Sequence, residues 1–341
     1  MEISTVVNEK EWRDFLVRCS TASIYHTPEW KRFLEKTFDY QPQYLFATDD
    51  CGTLIGLLPL FYVQSRITGD RLCSLPFSHV CGPIGENGAQ TDLISKAKMI
   101  RSTLRDTPLE IRSDIGISGF HSSELFSTYI LDLSSQTDEV WKRLDHGSVR
   151  RTVKKARSLG VVVEISKEHE DLKAFYEINS INKKNLGVPC HPYTFFKNLF
   201  SGLEHYVSLY LARYNGEIIA GGVMERFKGS VIYGYGAADP SYLQVHPYHA
   251  LIWNSIEDAC RDGCSEYDFG RVSHDNTGLI QFKKRWGTRE KKLFYSTFPN
   301  SQKPTSPDRD SSLYRFGNTV IHQMPMPVYK KFSDIVFSHF G

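Results

Sequence analysis

The same order of secondary-structure signals runs along this chain twice, and no other property of the sequence narrows the fold so far. In the first half, 11–19 and 29–37 read as short helices, the second opened by Thr27-Pro28, a side-chain cap followed by a first-turn proline. Two β-rich runs, 44–48 and 54–63, then flank the polar turn Asp50-Cys51-Gly52, the pattern of a hairpin. The Pro/Gly-rich stretch SLPFSHVCGPIGENG leads to a helix over 91–104 and a strand over 109–112. The second half restates this order. A helix over 170–185 precedes HPYTFFKNLF, where a proline again stands before an aromatic helix, and the strands 207–213 and 217–224 flank Asn215-Gly216, the stronger turn signal of the two. An aromatic strand (231–235), a helix (247–261) and a strand (266–269) complete the second copy. YLFATDDCGTLIGLLPLF thus stands opposite LYLARYNGEIIAGGVMERF, and LEIRS opposite YDFGR.

The repeat predicts two related α/β domains in tandem, 1–140 and 141–298, and 341 residues suffice for each to bury its own core. With 40% hydrophobic and 23% charged residues, the composition excludes large-scale disorder. The second domain opens with WKRLDHGSVRRTVKKARSLGVVVEI. This reads as a basic helix stopped by Gly160 and followed by a β-branched strand, with Val149, Val153 and Ala156 spaced as a buried stripe. After Pro299, NSQKPTSPDRDSS reads as a polar linker. The tail beyond it carries Val328, Phe332, Ile335, Val336 and Phe340 in helical spacing and is expected to dock.

A net charge of +2 decides nothing by itself, but its distribution does. Lys142, Arg143, Arg150, Arg151, Lys154, Lys155 and Arg157 face a single Asp145 within 142–157, and Lys283, Lys284, Arg285, Arg289, Lys291 and Lys292 form a second cluster. Two such patches suit an anionic partner. The seven cysteines are odd in number, scattered and without a Cys-x-x-Cys pair, which fits a reducing compartment. The first residues lack the apolar core of a signal peptide, and no apolar run approaches the roughly 20 residues a membrane span needs. The expected location is the cytoplasm, with peripheral contact at the inner face of the membrane left open.

Common active-site signatures are missing: there is no phosphate-binding Gly-x-x-x-x-Gly-Lys-Ser/Thr loop, no Gly-x-Ser-x-Gly elbow and no His-Glu-x-x-His pair. Cys260 and Cys264, four apart with no second close pair, read as ordinary thiols rather than a zinc site, and no metal is expected. The informative stretch is HPYHALIWNSIEDACRDGCSEYDFGRVSHDNTGLIQFKKRWG, which sets charged residues just past the carboxyl end of a buried strand, where ligands of α/β sheets bind. Asp268, Arg271, His274, Asp275 and Lys283 stand there. The plainer reading pairs Asp268 with Arg271 as a brace at the strand end, and makes Lys283, on an extended segment after Phe282, a solvated charge.

Taken in order, YHTPEW (25–30), IGLLPL (55–60), SLPF with its following glycines (74–85), RRTVKKARSLGVVV (150–163), NLGVPCHPYTFF (185–196), HPYHALIWNSIEDACRDG (246–263), DFGR (268–271) and FKKRWG (282–287) resemble the Fem-type peptidoglycan aminoacyltransferases. The likeness is greatest to the FemAB-like relatives associated with bacterial exopolysaccharide export, and it covers nearly the whole chain. It implies two tandem acetyltransferase-like (GNAT-like) domains with mixed central sheets. It also implies transfer of an amino acid from aminoacyl-tRNA, or another activated acyl donor, to an amino group of a cell-envelope precursor. The family's phenylalanine–lysine pair falls on Phe282-Lys283, where the resemblance gives the lysine a part in supporting the reacting ester. The long helical arm of some members is missing here, so contact with tRNA would rest on the basic clusters, Arg150 and Lys154 among them.

An aminoacyl ester is already activated, so its transfer needs a deprotonated amine, a cradle for the developing oxyanion and alignment of both substrates. Lys283 or Arg271 could supply the positive charge, and Asp268 or Asp275 could take or relay the proton, with His274 as an alternative. Tyr233, Tyr235, Tyr242 and Trp286 read either as a substrate groove or as core. Two other functions stay open. An acyl-CoA donor would need a glycine turn ahead of the second-domain helix, and YLQVHPYHAL has none, while the glycine-rich CGPIGENG lacks basic neighbours. A non-catalytic protein gripping RNA or an anionic polymer would use the basic clusters alone. No cofactor is expected.

Overall fold

The computed structural model describes residues 1–300 and 312–339, so nearly all of the expected polar linker, and Phe340, lie outside the described residues. The chain divides into two compact units. One comprises Met1–Phe126, Lys292–Pro307 and Ser338–Gly341; the other comprises Ser127–Lys291 and Asp308–Phe337.

The first unit contains, in order, β1 (Glu2–Ser4), α1 (Glu9–Arg18), α2 (Pro28–Phe38), β2 (Gln41–Pro42), β3 (Leu45–Thr48), β4 (Leu54–Leu58), β5 (Phe61–Val63), β6 (Arg71–Ser74), β7 (Ile84–Gly85), α3 (Asn87–Thr103), β8 (Leu109–Ser113) and the start of β9 (His121–Asp132). Thr27 caps α2 by accepting from the Trp30 amide, with Pro28 at the first turn, as its sequence predicts. The expected strand over 54–63 is broken at Pro59, which has no N–H to give a ladder. Its first part pairs antiparallel with β3 and β7, whereas Phe61–Val63 pairs with β6 and β2. β6 and β8 are parallel, and Phe294–Phe298 flanks β8 antiparallel, so the sheet is mixed. Leu45, Leu58, Leu72, Leu93, Leu109 and Ile111 form the core. Within this unit the buried Arg112 is bound to Glu110 at 2.8 Å and to the carbonyls of Leu75 and Ser78 at 3.1 Å each. That set of partners is what makes a buried charge tolerable.

The second unit begins with α4 (Thr137–Arg143), a π turn (His146–Arg150), α5 (Arg151–Ser158), β10 (Val162–Ser166), α6 (His169–Asn185) and α7 (Tyr193–Gly202). There follow β11 (Val207–Tyr214), β12 (Glu217–Phe227), β13 (Ser230–Ala238), α8 (Pro247–Arg261), β14 (Glu266–Ser273), α9 (Thr277–Lys284), the start of β15 (Arg289–Phe298), α10 (Ser312–Gln323) and α11 (Met326–Phe337). Strands β10 to β13 pair antiparallel in chain order, and β14 joins β13 in parallel. The hairpin between β11 and β12 turns on Asn215 (φ 51°) and Gly216 (φ 85°), the left-handed pair its sequence calls for. Val149, Val153 and Ala156 are buried, as their spacing predicts. So is the inner face of α8, with Ala250, Leu251, Trp253, Ile256 and Ala259. The tail docks through Tyr329, Ser333, Val336 and Phe337, with the Tyr329 hydroxyl donating to the Val188 carbonyl at 2.8 Å, while Val328 and Ile335 point outward.

All seven cysteines are free. Among the described residues, no group of three His, Cys, Asp or Glu could hold a metal, and no helix is long and apolar enough to cross a membrane.

Candidate functional site

β13 and β14 stay in register for only three pairs, Ser230↔Glu266, Val231↔Tyr267 and Ile232↔Asp268, although β13 continues to Ala238 and β14 to Ser273. Gly270, two residues past the last pair, takes φ +74°, a left-handed conformation that glycine reaches without cost, and lies against β13, where a Cβ would come within 3.2 Å of the Tyr233 carbonyl oxygen. On the other side of β13 the ladder to β12 shifts register between Val223 and Met224. These irregularities bracket the point where backbone polar groups must find other partners.

Lys283 provides one. Its ammonium donates to the carbonyl of Gly270 at 2.5 Å and to that of Arg271 at 3.4 Å, with the side chain buried. Asp268, also buried, accepts at one carboxylate oxygen from the Gly270 amide at 2.7 Å and from the Thr128 hydroxyl. The turn at Gly270 is thus held by a carboxylate on its N–H side and a lysine on its C=O side. Burial pushes the Lys283 pKa down to about 8, Asp268 opposing the shift and Arg271 adding to it. Lys283 lies on the helix α9 and not on an extended segment. Asn276 caps that helix by accepting from the Leu279 amide at 3.1 Å, a signal at the head of NTGLIQFKK that fixes the helix start.

Around this centre the other expected residues take distinct places. Arg271, on β14, and Asp275, on the loop after it, are exposed. Phe282 is half-buried and Trp286 wholly buried; Trp286 lies 5.7 Å from Phe269 and is stacked on His249 at 5.9 Å. The ring of Tyr233 fills the space in front of Gly222 and Gly236, where a Cβ on Gly236 would come within 1.7 Å of the Tyr233 oxygen. Burial, with Tyr248 and Tyr267 nearby, raises its pKa well above the usual tyrosine range. Tyr235 belongs to a separate aromatic cluster, with His191 at 4.9 Å, Phe195 at 5.4 Å and Phe196 at 5.5 Å. Arg150 sits half-buried on the π turn and Lys154 is exposed on α5. The structure therefore brings Asp268, Lys283, Phe282 and Trp286 to one strand end, and sets Tyr235 apart.

Beside this centre lies a group that the sequence alone does not assemble. The buried hydroxyl of Ser127, on β9, is 2.8 Å from Nε2 of His274 and 2.8 Å from a carboxylate oxygen of Glu290, at the start of β15. The Ser127 hydrogen bond, with Lys284 nearby, holds the Glu290 carboxyl below its usual range. Tyr129 shares the carboxylate, and burial carries its pKa up to about 12. The period-two run through Ser127, Tyr129 and Leu131 is the one sequence signal for β9.

At the amino end of α8, His246 adopts a left-handed φ of 59°, offers no side-chain cap and is followed by Pro247. Lys155 stands close enough to lower the His246 pKa, after burial.

A mixed sheet, a parallel pair that parts at mid-strand and a helix leading into the second of its strands are the features of the second unit. Residues 146–284 match the family model described as acetyltransferase (GNAT) domain. Among solved structures, FemX is similar over 86% of this chain and 97% of its own, at 18% identity and a TM-score of 0.71. L-PGS from Bacillus licheniformis matches over 94% and 98%, at 12% identity and a TM-score of 0.56. A tandem GNAT protein from the clavulanic acid biosynthesis pathway matches over 90% and 99%, at 11% identity and a TM-score of 0.54. Among curated proteins, none matches the sequence at a significant level. The chain thus shares the fold of FemX, and its residues 146–284 match a GNAT domain, in accord with the resemblance carried by its motifs.

Proposed function

We propose that this protein transfers an aminoacyl group from aminoacyl-tRNA to an amino group of a cell-envelope precursor, in the manner of peptidoglycan-bridge synthesis. The amino end of α8 carries this reading. With a left-handed His246 and a proline in place of a glycine turn, it is poorly made to receive the pyrophosphate of an acyl-CoA. The exposed Arg151, Lys154 and Lys155 of α5 instead suit a polyanionic donor. The FemX-like fold and the likeness to a structure described as a putative lysylphosphatidylglycerol synthetase point the same way.

In this reading Lys283 turns its third N–H, the one not given to the Gly270 and Arg271 carbonyls, to the oxyanion that develops on the ester. Asp268 positions Lys283 and the turn. Arg271, exposed on β14, and Asp275, exposed on the loop after it, meet the donor or acceptor, while Phe282, Tyr233 and Trp286 shape the wall behind the ester. Arg150 and Lys154 hold donor phosphates, and Tyr235 serves the acceptor side. The reaction runs at the cytoplasmic face of the membrane and needs no metal.

Incubating the protein with a set of aminoacylated tRNAs and, separately, with a panel of acyl-CoAs, each with an amine acceptor, tests the proposal. Consumption of aminoacyl-tRNA supports it. Consumption of acyl-CoA alone would replace it with a CoA-dependent N-acyltransferase, and salt-sensitive RNA binding without turnover would leave a binding protein.

A further inference from the structure

We propose that His274 is the base that takes the proton from the acceptor amine, and that Ser127 and Glu290 set its tautomer for that task. The inference rests on the acyl-transfer reading above, but its central claim concerns hydrogen positions that hold without substrate.

A serine hydroxyl has one proton to give, and an ionised carboxylate can only accept. Glu290 is held in its ionised form by Ser127 and Lys284, so the Ser127 proton points to Glu290 across 2.8 Å. The contact of equal length between Ser127 and His274 must therefore run the other way, with Nε2–H of the imidazole donating to the serine oxygen. A neutral imidazole protonated on Nε2 carries its lone pair on Nδ1. His274 is exposed, and no described residue bonds that nitrogen. The relay thus turns a basic nitrogen outward, one residue past the end of β14, whose Gly270 and Arg271 carbonyls hold Lys283. An oxyanion donor and a proton acceptor then issue from the same strand end. The charged and titratable groups around them are Glu290, Tyr129, Asp268 and Arg271 on the strands, Lys283 and Lys284 on α9, and Asp275 on the loop after β14.

The step balances as follows. Nδ1 of His274 takes one proton from the ammonium form of the acceptor and releases it to solvent. The freed amine lone pair forms the new C–N bond at the ester carbonyl, whose π electrons move to oxygen. When the tetrahedral species collapses, the C–O bond of the ester breaks, and the leaving oxygen takes the second proton from nitrogen. His274 touches the substrate and is catalytic; Ser127 and Glu290 act through it and are positioning residues.

Two-bond ¹H–¹⁵N correlation spectra of histidine-labelled protein, with His274 assigned from its absence in His274→Gln, read the tautomer directly. The expected pattern is a protonated Nε2 and a pyridine-type Nδ1, lost in Ser127→Ala and restored in Ser127→Thr. In transfer assays His274→Gln is expected to lower kcat by roughly 10²–10⁴-fold. Ser127→Ala should lower kcat with donor KM unchanged. A proton on Nδ1 in the unmodified protein, or wild-type transfer by His274→Gln, overturns the inference. Failure of every donor to react, with the expected tautomer present, would instead sink the proposed function.

Discussion

A lysine whose ammonium holds two backbone carbonyls is both a structural and a chemical group, and the two roles separate experimentally. Replacing Lys283 by Met keeps the buried stem and removes the N–H groups. Transfer is then expected to fall by roughly 10²–10³-fold, the usual effect of losing one oxyanion donor, with donor KM changed little. A parallel loss in KM would show instead that Lys283 only binds. The same variant tests its ionisation. Burial lowers its pKa from 10.5 to about 8, so between those values the unfolded chain binds more protons than the folded one, and stability rises with pH across that window. Denaturant midpoints at pH 7.5 and 9.5 should therefore show the wild type gaining on Lys283→Met as pH rises; a shrinking gap would contradict the shift. Lys283 and Asp268 are candidates from sequence because both fall in the one charged stretch that runs from β14 into α9. Ser127 and Glu290 are not: they lie 147 residues from His274 and 163 residues from Ser127 respectively, and hydrogen bonds over such separations leave no local pattern.

Elements are legible where turn chemistry and periodicity agree, as for α8, whose bounds match the expected 247–261, and for the Asn215-Gly216 hairpin. They are hidden where charge masks the period. In REKKLFYSTF the second half is buried at Leu293 and from Tyr295 to Thr297, but the leading basic residues give the segment the look of a charged surface. The pairing of β12 with β13 depends on a detail that sequence suggests only through AGGVMERF and YGYGAA. Gly222 and Gly236 are direct cross-strand partners, and the Tyr233 ring occupies the space their side chains would take. Gly236→Ala should destabilise by about 1–3 kcal/mol, the range for overpacking. Combined with Tyr233→Ala, the cost should fall well below the sum, a coupling of at least about 0.5 kcal/mol in a double-mutant cycle. Additive costs would mean that the ring does not fill that space.

Over the whole molecule, a formal charge of +2 conceals a basic segment, and the balance matters more than the total. Changing Arg151, Lys154 and Lys155 together to Glu is expected to weaken binding of aminoacyl-tRNA and to flatten the fall of log K with log salt, by about 0.7–0.9 for each phosphate no longer neutralised. Unchanged salt dependence would move the donor site off α5. The tandem α/β plan is legible because two copies of one element order are hard to produce by chance, whereas the path of the chain is not. The first unit takes Met1–Phe126 and then Lys292–Pro307, so the strand Phe294–Phe298 that flanks β8 emerges from the ribosome only after the intervening 127–291 has been made. Until then β8 offers an open edge, the kind of edge that recruits other chains. A fragment of residues 1–140 should accordingly aggregate or stay partly unfolded by circular dichroism, and a monomeric, cooperatively melting fragment would refute this. During synthesis the first unit is thus a sheet waiting for its last strand, and its completion reports that the second unit's chain up to Lys291 has already been made.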